Sequence, residues 1–174
     1  MIRRWPVWFF VIIGYLMTLA WVMPAGAQKS ATPPATLQKA VELLNKAEKQ
    51  VADEPDAALQ SAKEARLLFR DLKKDLAAKL ADYQLTEAQL EEEDFNTRLA
   101  EDLFKKGELF HKGAKEKMAR SKDLADQGDE VEARKMEAVA QIEARLALQH
   151  YVRSQIYHLR NQQMIFQTIL RQKK

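Results

Sequence analysis

The distribution of proline and glycine is the feature of this sequence that most limits its fold. All five prolines lie at or before Pro55, so the 119 residues that follow contain none. Those residues contain only three glycines, Gly107, Gly113 and Gly128. Strands joined by hairpins need far more turn residues than this. Because Ala, Leu, Glu, Lys, Gln and Arg are abundant throughout, the sequence predicts a few long helices.

The first part of the helical region contains two predicted helices. Apolar residues at three- and four-residue steps predict a helix from about Thr36 to Ala52. Pro55 then suits the first turn of a second helix, because a residue there needs no backbone N–H donor. We expect this second helix to continue through Tyr83, with alanines early in it that allow close packing against the first.

The second part contains two longer helices. Thr86 and Gln89 match a capping box, so a third helix should start at Glu87. Gly128 suits the left-handed position that ends a helix, and a fourth helix should run from Glu130 almost to the C-terminus. Two helices of about 40 residues with so short a link must turn back on each other. The sequence therefore predicts an all-α, antiparallel up-and-down bundle with a long, coiled-coil-like C-terminal hairpin.

Charge predicts the register of that hairpin, in which paired positions should sum to about 256, twice the position of the turn. Residues 87–102 hold seven acidic side chains and one basic, and the chain from Ala144 onward holds six basic and no acidic ones. Residues 105–122 hold seven basic and two acidic side chains, against five acidic and two basic at 129–143. Opposite charges should thus face each other, although each surface pair contributes only about 0–1 kcal/mol.

Gly107 lies in the apolar stripe of the third predicted helix, between Leu103 and Phe110. A glycine inside a helix costs about 1 kcal/mol relative to alanine, so its presence needs a reason. We expect it to mark a close approach between two helices. A hinge in the long helix is the alternative.

The first 27 residues are typical of an export signal. Arg3 and Arg4 precede an uncharged run from Trp5 to Met23, and Ala25-Gly26-Ala27 supplies the small residues of a signal-peptidase site. We therefore expect cleavage before Gln28 and a periplasmic or otherwise extracytoplasmic location in the cell envelope. The alternative is an uncleaved inner-membrane anchor facing the periplasm, because the run approaches the roughly 20 residues of a spanning helix.

The remaining chain should form one domain. Residues 28–35 are expected to be a flexible leader, and 36–174 a helical bundle domain. Without residues 1–27 the chain loses two of its 28 basic and none of its 25 acidic residues, which leaves a net charge of +1. Nucleic-acid binding needs a strong basic excess, so we expect no nucleic-acid partner. The absence of cysteine excludes a disulfide framework.

No catalytic motif stands out along the chain. It contains no nucleophile elbow, phosphate-binding loop or zinc spacing, so we expect no enzymatic activity, no cofactor and no small-molecule substrate. Glu108 and His111 have the Glu-x-x-His spacing of di-iron ligands in helical bundles. Such a site needs a second pair, and neither His150 nor His158 follows a glutamate at that spacing. We expect no metal site, and a metal-carboxylate bundle protein is the second alternative.

The C-terminal residues are the predicted partner-binding site. Their apolar members cover an arc of about 140°, wider than one neighbouring helix needs, and no acidic residue follows Glu143. The predicted site consists of Ile165, Phe166, Ile169, Leu170, Arg171, Lys173 and Lys174. Its partner would be an acidic, partly apolar surface of another envelope protein or a second copy of the chain. Peripheral contact with anionic lipid headgroups is one alternative, and complete burial under another helix is the other.

One short segment resembles a known family. Leu85-Thr86-Glu87-Ala88-Gln89 is similar to the Leu-Thr-x-x-Gln signature of the Spy and CpxP family of small exported helical proteins, and the resemblance covers five of 174 residues. It implies an ATP-independent periplasmic chaperone or a stress-sensing protein. From the export signal, the helical architecture and the lack of catalytic motifs we expect an exported, non-enzymatic scaffold or interaction protein of the bacterial cell envelope. The resemblance makes a chaperone or stress-sensing protein of this kind the first alternative.

Overall fold

The structure is a computed structural model that describes residues 32–171. Within these residues it contains helices and no strands, so the predicted all-α class is confirmed. Two long helices form the predicted C-terminal hairpin. The elements are α1 Pro33–Gln50, α2 Pro55–Asp75, α3 Ala77–Ala81, α4 Glu87–Asp126 and α5 Glu130–Arg171.

The predicted starts of both long helices are confirmed. At the start of α4, the backbone N–H of Gln89 donates to the Thr86 hydroxyl at 3.4 Å, and the Thr86 N–H donates to the Gln89 side chain at 3.0 Å. This is the reciprocal capping box. Between α4 and α5, Gly128 has φ +86°, a left-handed conformation that glycine adopts without strain.

The first two helices differ from the prediction at their ends. α1 begins at Pro33 rather than Thr36, so the last three residues of the predicted leader are helical. Prolines fit there because first-turn N–H groups have no partner within the helix. α2 ends at Asp75 instead of continuing through Tyr83. If α2 continued straight from Asp75 to Tyr83, it would be about 12 Å longer. Instead the chain leaves the axis of α2, and the Tyr83 hydroxyl donates to the Gln89 side chain at 2.7 Å.

α5 is the central helix of the bundle. Val152, Leu159 and Phe166 recur every seven residues and share one buried core with α1 and α2, and no residue of α4 belongs to that core. A second seven-residue series, displaced by two positions from the first, includes Ala140 and Ala147 and faces α4. Positions two apart on a helix point about 200° apart. α1 and α2 therefore pack on one side of α5, and α4 packs on the other.

Small and polar side chains form the seam between α4 and α5. The Asn96 amide donates to the Asn161 side chain at 2.9 Å, and the Ser121 hydroxyl donates to the Ala133 carbonyl at 2.8 Å. Gln89 meets Thr168, and Lys117 meets Glu143. Each side-chain pair that crosses the seam lies within four residues of the predicted register.

The expected pairing of charges across the hairpin is largely wrong. Lys117 does pair with Glu143 at 2.8 Å in the outer part of the hairpin. In the inner part, however, Arg145 donates to the Asp53 carbonyl, and Arg160 contacts Glu48 of α1. These arginines lie on the side of α5 that faces α1. Arg145 is seven residues before Val152, and Arg160 directly follows Leu159, so both lie close to the core-facing positions of α5 and away from α4. Within residues 32–171, no basic side chain of α5 pairs with the acidic start of α4.

The outer part of the hairpin projects beyond α1 and α2. The turn between those helices reaches α5 at Arg145, and at Gln149, which donates to the Ala52 carbonyl at 2.6 Å. Beyond this point α4 and α5 continue as a two-helix arm, residues 112–144, that is about 23 Å long. No helix in the described range is long and apolar enough to cross a bilayer. The predicted export segment lies outside that range.

Candidate functional site

An open groove lies at the base of the bundle, the end away from the arm. It lies between α2, α3 and the C-terminal part of α5, and we call it the basal groove. Its volume of about 760 Å³ falls within the range of about 300–1,000 Å³ typical of ligand pockets. It is lined by Lys63, Arg66, Leu67, Phe69, Arg70, Lys73, Leu80, Gln162, Ile165 and Phe166.

The floor of the basal groove is apolar. The rings of Phe69 and Phe166 stack with their centroids 5.9 Å apart, and both side chains are buried. Leu80 and Ile165 are half-buried against the same core. Leu67 remains 48% exposed, which is unusual for a leucine beside a packed core. A bound side chain would therefore bury additional apolar surface, at about 25 cal/mol for each Å² removed from water.

The rim of the basal groove is basic. Lys63, Arg66, Arg70 and Lys73 recur at three- and four-residue steps, so at 100° per residue they lie within an arc of about 80° on α2. No acidic side chain of the described residues lines the groove. Arg70 lies 3.8 Å from the exposed Asp71, and the other three form no ion pair within residues 32–171. One rim of the apolar floor is thus positively charged, and only Arg70 has an acidic partner among the described residues.

A second, smaller groove lies between α1 and the end of α5. Leu37, Val41, Leu170 and Arg171 contribute to it, together with the acidic Glu42, and its volume is about 420 Å³. The mixture of Glu42 and Arg171 gives it no single charge. It therefore lacks the chemical bias of the basal groove.

The structure divides the predicted C-terminal site between these two grooves. Phe166 and Ile169 are buried in the core, which covers part of the apolar arc. Ile165 lines the basal groove, and Leu170 lines the smaller one. Lys173 and Lys174 lie outside the described residues, and partner binding at this end of the chain stays a prediction.

The cations of α2 are the part of the site that the sequence prediction missed. Their three- and four-residue spacing is visible in the sequence, but acidic residues such as Glu64 and Asp71 alternate with them. Only the rotational position of α2 against Phe166 shows that the cations border the groove and that these acids do not. The spacing in the sequence shows that the cations share one face of α2, but it does not show that this face borders the groove.

The Glu-x-x-His pair does not form a metal centre in the structure. The Tyr151 hydroxyl donates to the carboxylate of Glu108, and burial and this hydrogen bond both raise the pKa of Tyr151. No group of three or more His, Asp or Glu side chains within residues 32–171 could hold a metal ion. Glu108 thus has a packing partner on α5, next to the ring contact of Phe104 with Tyr151 at 5.4 Å.

His150 is the second titratable group with a perturbed environment. Its ring stacks on Phe110 at 5.4 Å, and its buried Nδ1 has no hydrogen-bond partner within the described chain. Burial lowers the pKa of His150, and the positive charges of Arg153 and Lys106 lower it further. Burial and the neighbouring positive charges therefore disfavour the protonated form of His150.

Comparison with known proteins gives no relative. No protein-family model matches the sequence, and no curated protein or solved structure shows a significant match to the chain.

Proposed function

We propose that this chain is an exported, non-enzymatic helical interaction protein of the cell envelope. Its basal groove would dock a partner helix that carries acidic side chains beside apolar ones. The observation that carries the proposal is the combination of an apolar floor, at which Leu67 remains exposed, with a rim of four cations, three of which form no ion pair within residues 32–171. The export segment at residues 1–27 supports the extracytoplasmic location.

The two features of the groove have different roles in this proposal. Burial of apolar side chains against Leu67, Leu80 and Ile165 would supply most of the affinity. The cations would orient the helix and raise its association rate, because electrostatic complementarity contributes more to specificity and rate than to affinity. Binding should therefore weaken as salt increases, without vanishing at high salt.

A designed peptide tests this proposal directly. The probe is a fluorescent amphipathic helix of about 18 residues, with glutamates beside a leucine stripe, compared with the same peptide carrying lysines. We expect the acidic peptide to bind the full chain and the basic peptide to bind at least tenfold more weakly. Reversal of the rim in Arg66→Glu/Arg70→Glu should abolish the preference.

A matched control separates the groove from net charge. Lys105 and Lys115 are exposed on α4, far from the groove, so Lys105→Glu/Lys115→Glu makes the same change in total charge. This variant should keep the preference for the acidic peptide. Equal binding of both peptides to the unaltered chain would contradict a docking role for the groove.

Holdase activity is a second candidate, and the exposed apolar residues of the outer hairpin favour it. Val131 and Ile142 are 68% and 60% exposed, and Val139 is also exposed. Val131 falls at the heptad position of Val152, but Arg145 lies between them in the same series, so these side chains form a separate apolar surface on the arm. The test is aggregation of an enzyme diluted from denaturant. Suppression that is lost in Val131→Glu/Ile142→Glu, while peptide binding persists, would favour this candidate.

A further inference from the structure

We propose that the basal groove of one copy binds the acidic start of α4 of a second copy, so that the chain self-associates head to tail. This inference rests on the proposed function of the groove and names the occupant. It requires a complementary surface on the same chain, a reason why that surface is unsatisfied within one copy, and a position that favours contact between copies.

The complementary surface is the outward face at the start of α4. Glu91, Glu92 and Asp94 are exposed there. At 100° per residue Leu90, which is 52% exposed, lies beside Asp94. Phe95, which is 64% exposed, lies between Glu91 and Glu92. The surface therefore presents carboxylates beside large apolar side chains, the chemistry that the basal groove would select.

The acidic face is not neutralised within one copy. Asp94 pairs with Arg98 in the next turn, and Glu91 and Glu92 form no ion pair in the described part of the chain. Arg160, the arginine of α5 that the register places nearest to them, contacts Glu48 of α1 instead. The bundle thus leaves an excess of negative charge at the start of α4 and an excess of positive charge on α2.

The two surfaces lie on different sides of α5. The groove is formed by α2, α3 and one side of α5, whereas α4 packs on the opposite side. A chain cannot place its own acidic face in its own groove, and contact between copies is head to tail. If only one groove and one acidic face of a pair are used, such a contact generates open assemblies or closed rings, and if both are used reciprocally it gives a two-fold dimer.

The charges of the two surfaces also match in spacing. Cations at positions 66, 70 and 73 span about two turns of α2. On α4, Glu91 and Asp94 of the acidic face repeat this spacing together with Glu87, which is exposed one turn before them. Exposed ion pairs are individually weak and are screened by salt. Reversing three of them replaces attraction by repulsion, which should weaken association by at least about tenfold.

The experiment uses the full chain and two charge-reversed variants. The groove variant is Arg66→Glu/Arg70→Glu/Lys73→Glu, and the acidic-face variant is Glu91→Lys/Glu92→Lys/Asp94→Lys. Sedimentation velocity at low and high salt measures the association of each. We expect the unaltered chain to form dimers and larger species at low salt that dissociate at high salt, and we expect each variant to be monomeric.

Mixing the two variants is the decisive step. The mixture pairs an intact groove on one copy with an intact acidic face on the other, so association should return. The control Lys105→Glu/Lys115→Glu/Arg120→Glu changes charge on α4 away from both surfaces and should associate like the unaltered chain. Melting curves of all variants confirm that each is folded before association is compared.

Two results would overturn the inference. One is an unaltered chain that stays monomeric at low salt, and the other is a mixture of variants that fails to associate although both are folded. If the monomeric chain still prefers the acidic peptide, the groove is a docking site for another protein and only self-association is refuted. If the preference for the acidic peptide is also absent, the proposed function fails as well.

Discussion

Replacing Gly107 by alanine should destabilise the protein, although alanine is the better helix former. Gly107 lies in the seam where α4 meets Tyr151 of α5. A Cβ atom at this position would lie 2.8 Å from two ring carbons of Tyr151, closer than van der Waals contact allows. The ring cannot move freely, because its hydroxyl donates to Glu108 and its face contacts Phe104.

The size of the effect follows from two opposing contributions. Alanine gains about 1 kcal/mol of helix propensity over glycine. An extra methyl group in a packed interface costs about 1–3 kcal/mol through displaced side chains. We therefore expect Gly107→Ala to lower the free energy of unfolding by about 0–2 kcal/mol. Adding Tyr151→Leu, which removes the obstructing ring, should let the alanine gain its propensity, so the pair of substitutions should be non-additive.

Gly113→Ala provides the matched control in the same helix. Its Cβ would lie 2.6 Å from the carboxylate oxygen of Glu143, which is the end of a flexible side chain. Glu143 can turn away at the cost of its ion pair with Lys117, at most about 1 kcal/mol. Urea unfolding monitored by circular dichroism measures both variants. If Gly107→Ala stabilises the protein as much as Gly113→Ala, close approach at Tyr151 is not the reason for the glycine.

The remaining predictions concern the core, pH and processing. Phe166→Ala should cost about 3–5 kcal/mol of stability because it removes a buried ring stacked on Phe69, whereas Leu67→Ala at the rim should cost less than about 0.5 kcal/mol, both read from urea unfolding. The lowered pKa of His150 means that the unfolded chain takes up a proton before the folded chain does. Stability should therefore be retained above the ordinary value of 6.5 and fall as the pH drops below it, and His150→Gln should reduce this fall in melting temperature between pH 7.5 and pH 5. All three tryptophans lie at positions 5, 8 and 21, so a cleaved mature protein should show no tryptophan emission, while a retained anchor would show it.

The features that the sequence predicted correctly depend on residues close together in the chain. The start of α4 is specified by Thr86 and Gln89, three positions apart, and the end of the helix by Gly128. The break after Asp75 has no such local signal. Leu76 leaves helical geometry with φ −106° and ψ 14°, and the connection to α4 depends on the Tyr83–Gln89 hydrogen bond. Contacts formed only in the folded bundle decide that boundary, so propensity and periodicity could not reveal it.

The candidate site was hidden from the sequence for a related reason. The apolar arc at residues 165–170 was visible, but its division into two grooves depends on the stacking of Phe166 on Phe69 of another helix. The periodicity of a sequence shows which arc of a helix is apolar. It does not show which of two neighbouring helices will cover each part of that arc. The basic rim contributed by α2 becomes part of the site only through that contact.

The charge pattern shows why a second neighbour changes the outcome. The prediction from charge assumed that α4 and α5 each have only the other as a neighbour. Under that assumption the basic end of α5 should neutralise the acidic start of α4. α5 instead has neighbours on opposite sides, and the rotation of each arginine decides which neighbour it meets. Arg145 and Arg160 fall on the side of α1, where they anchor the turn and Glu48. Arg160, whose register partner is position 96, therefore meets α1 instead of the start of α4. Glu91 and Glu92 form no ion pair within residues 32–171, and this is the reason to look for their partner on another molecule.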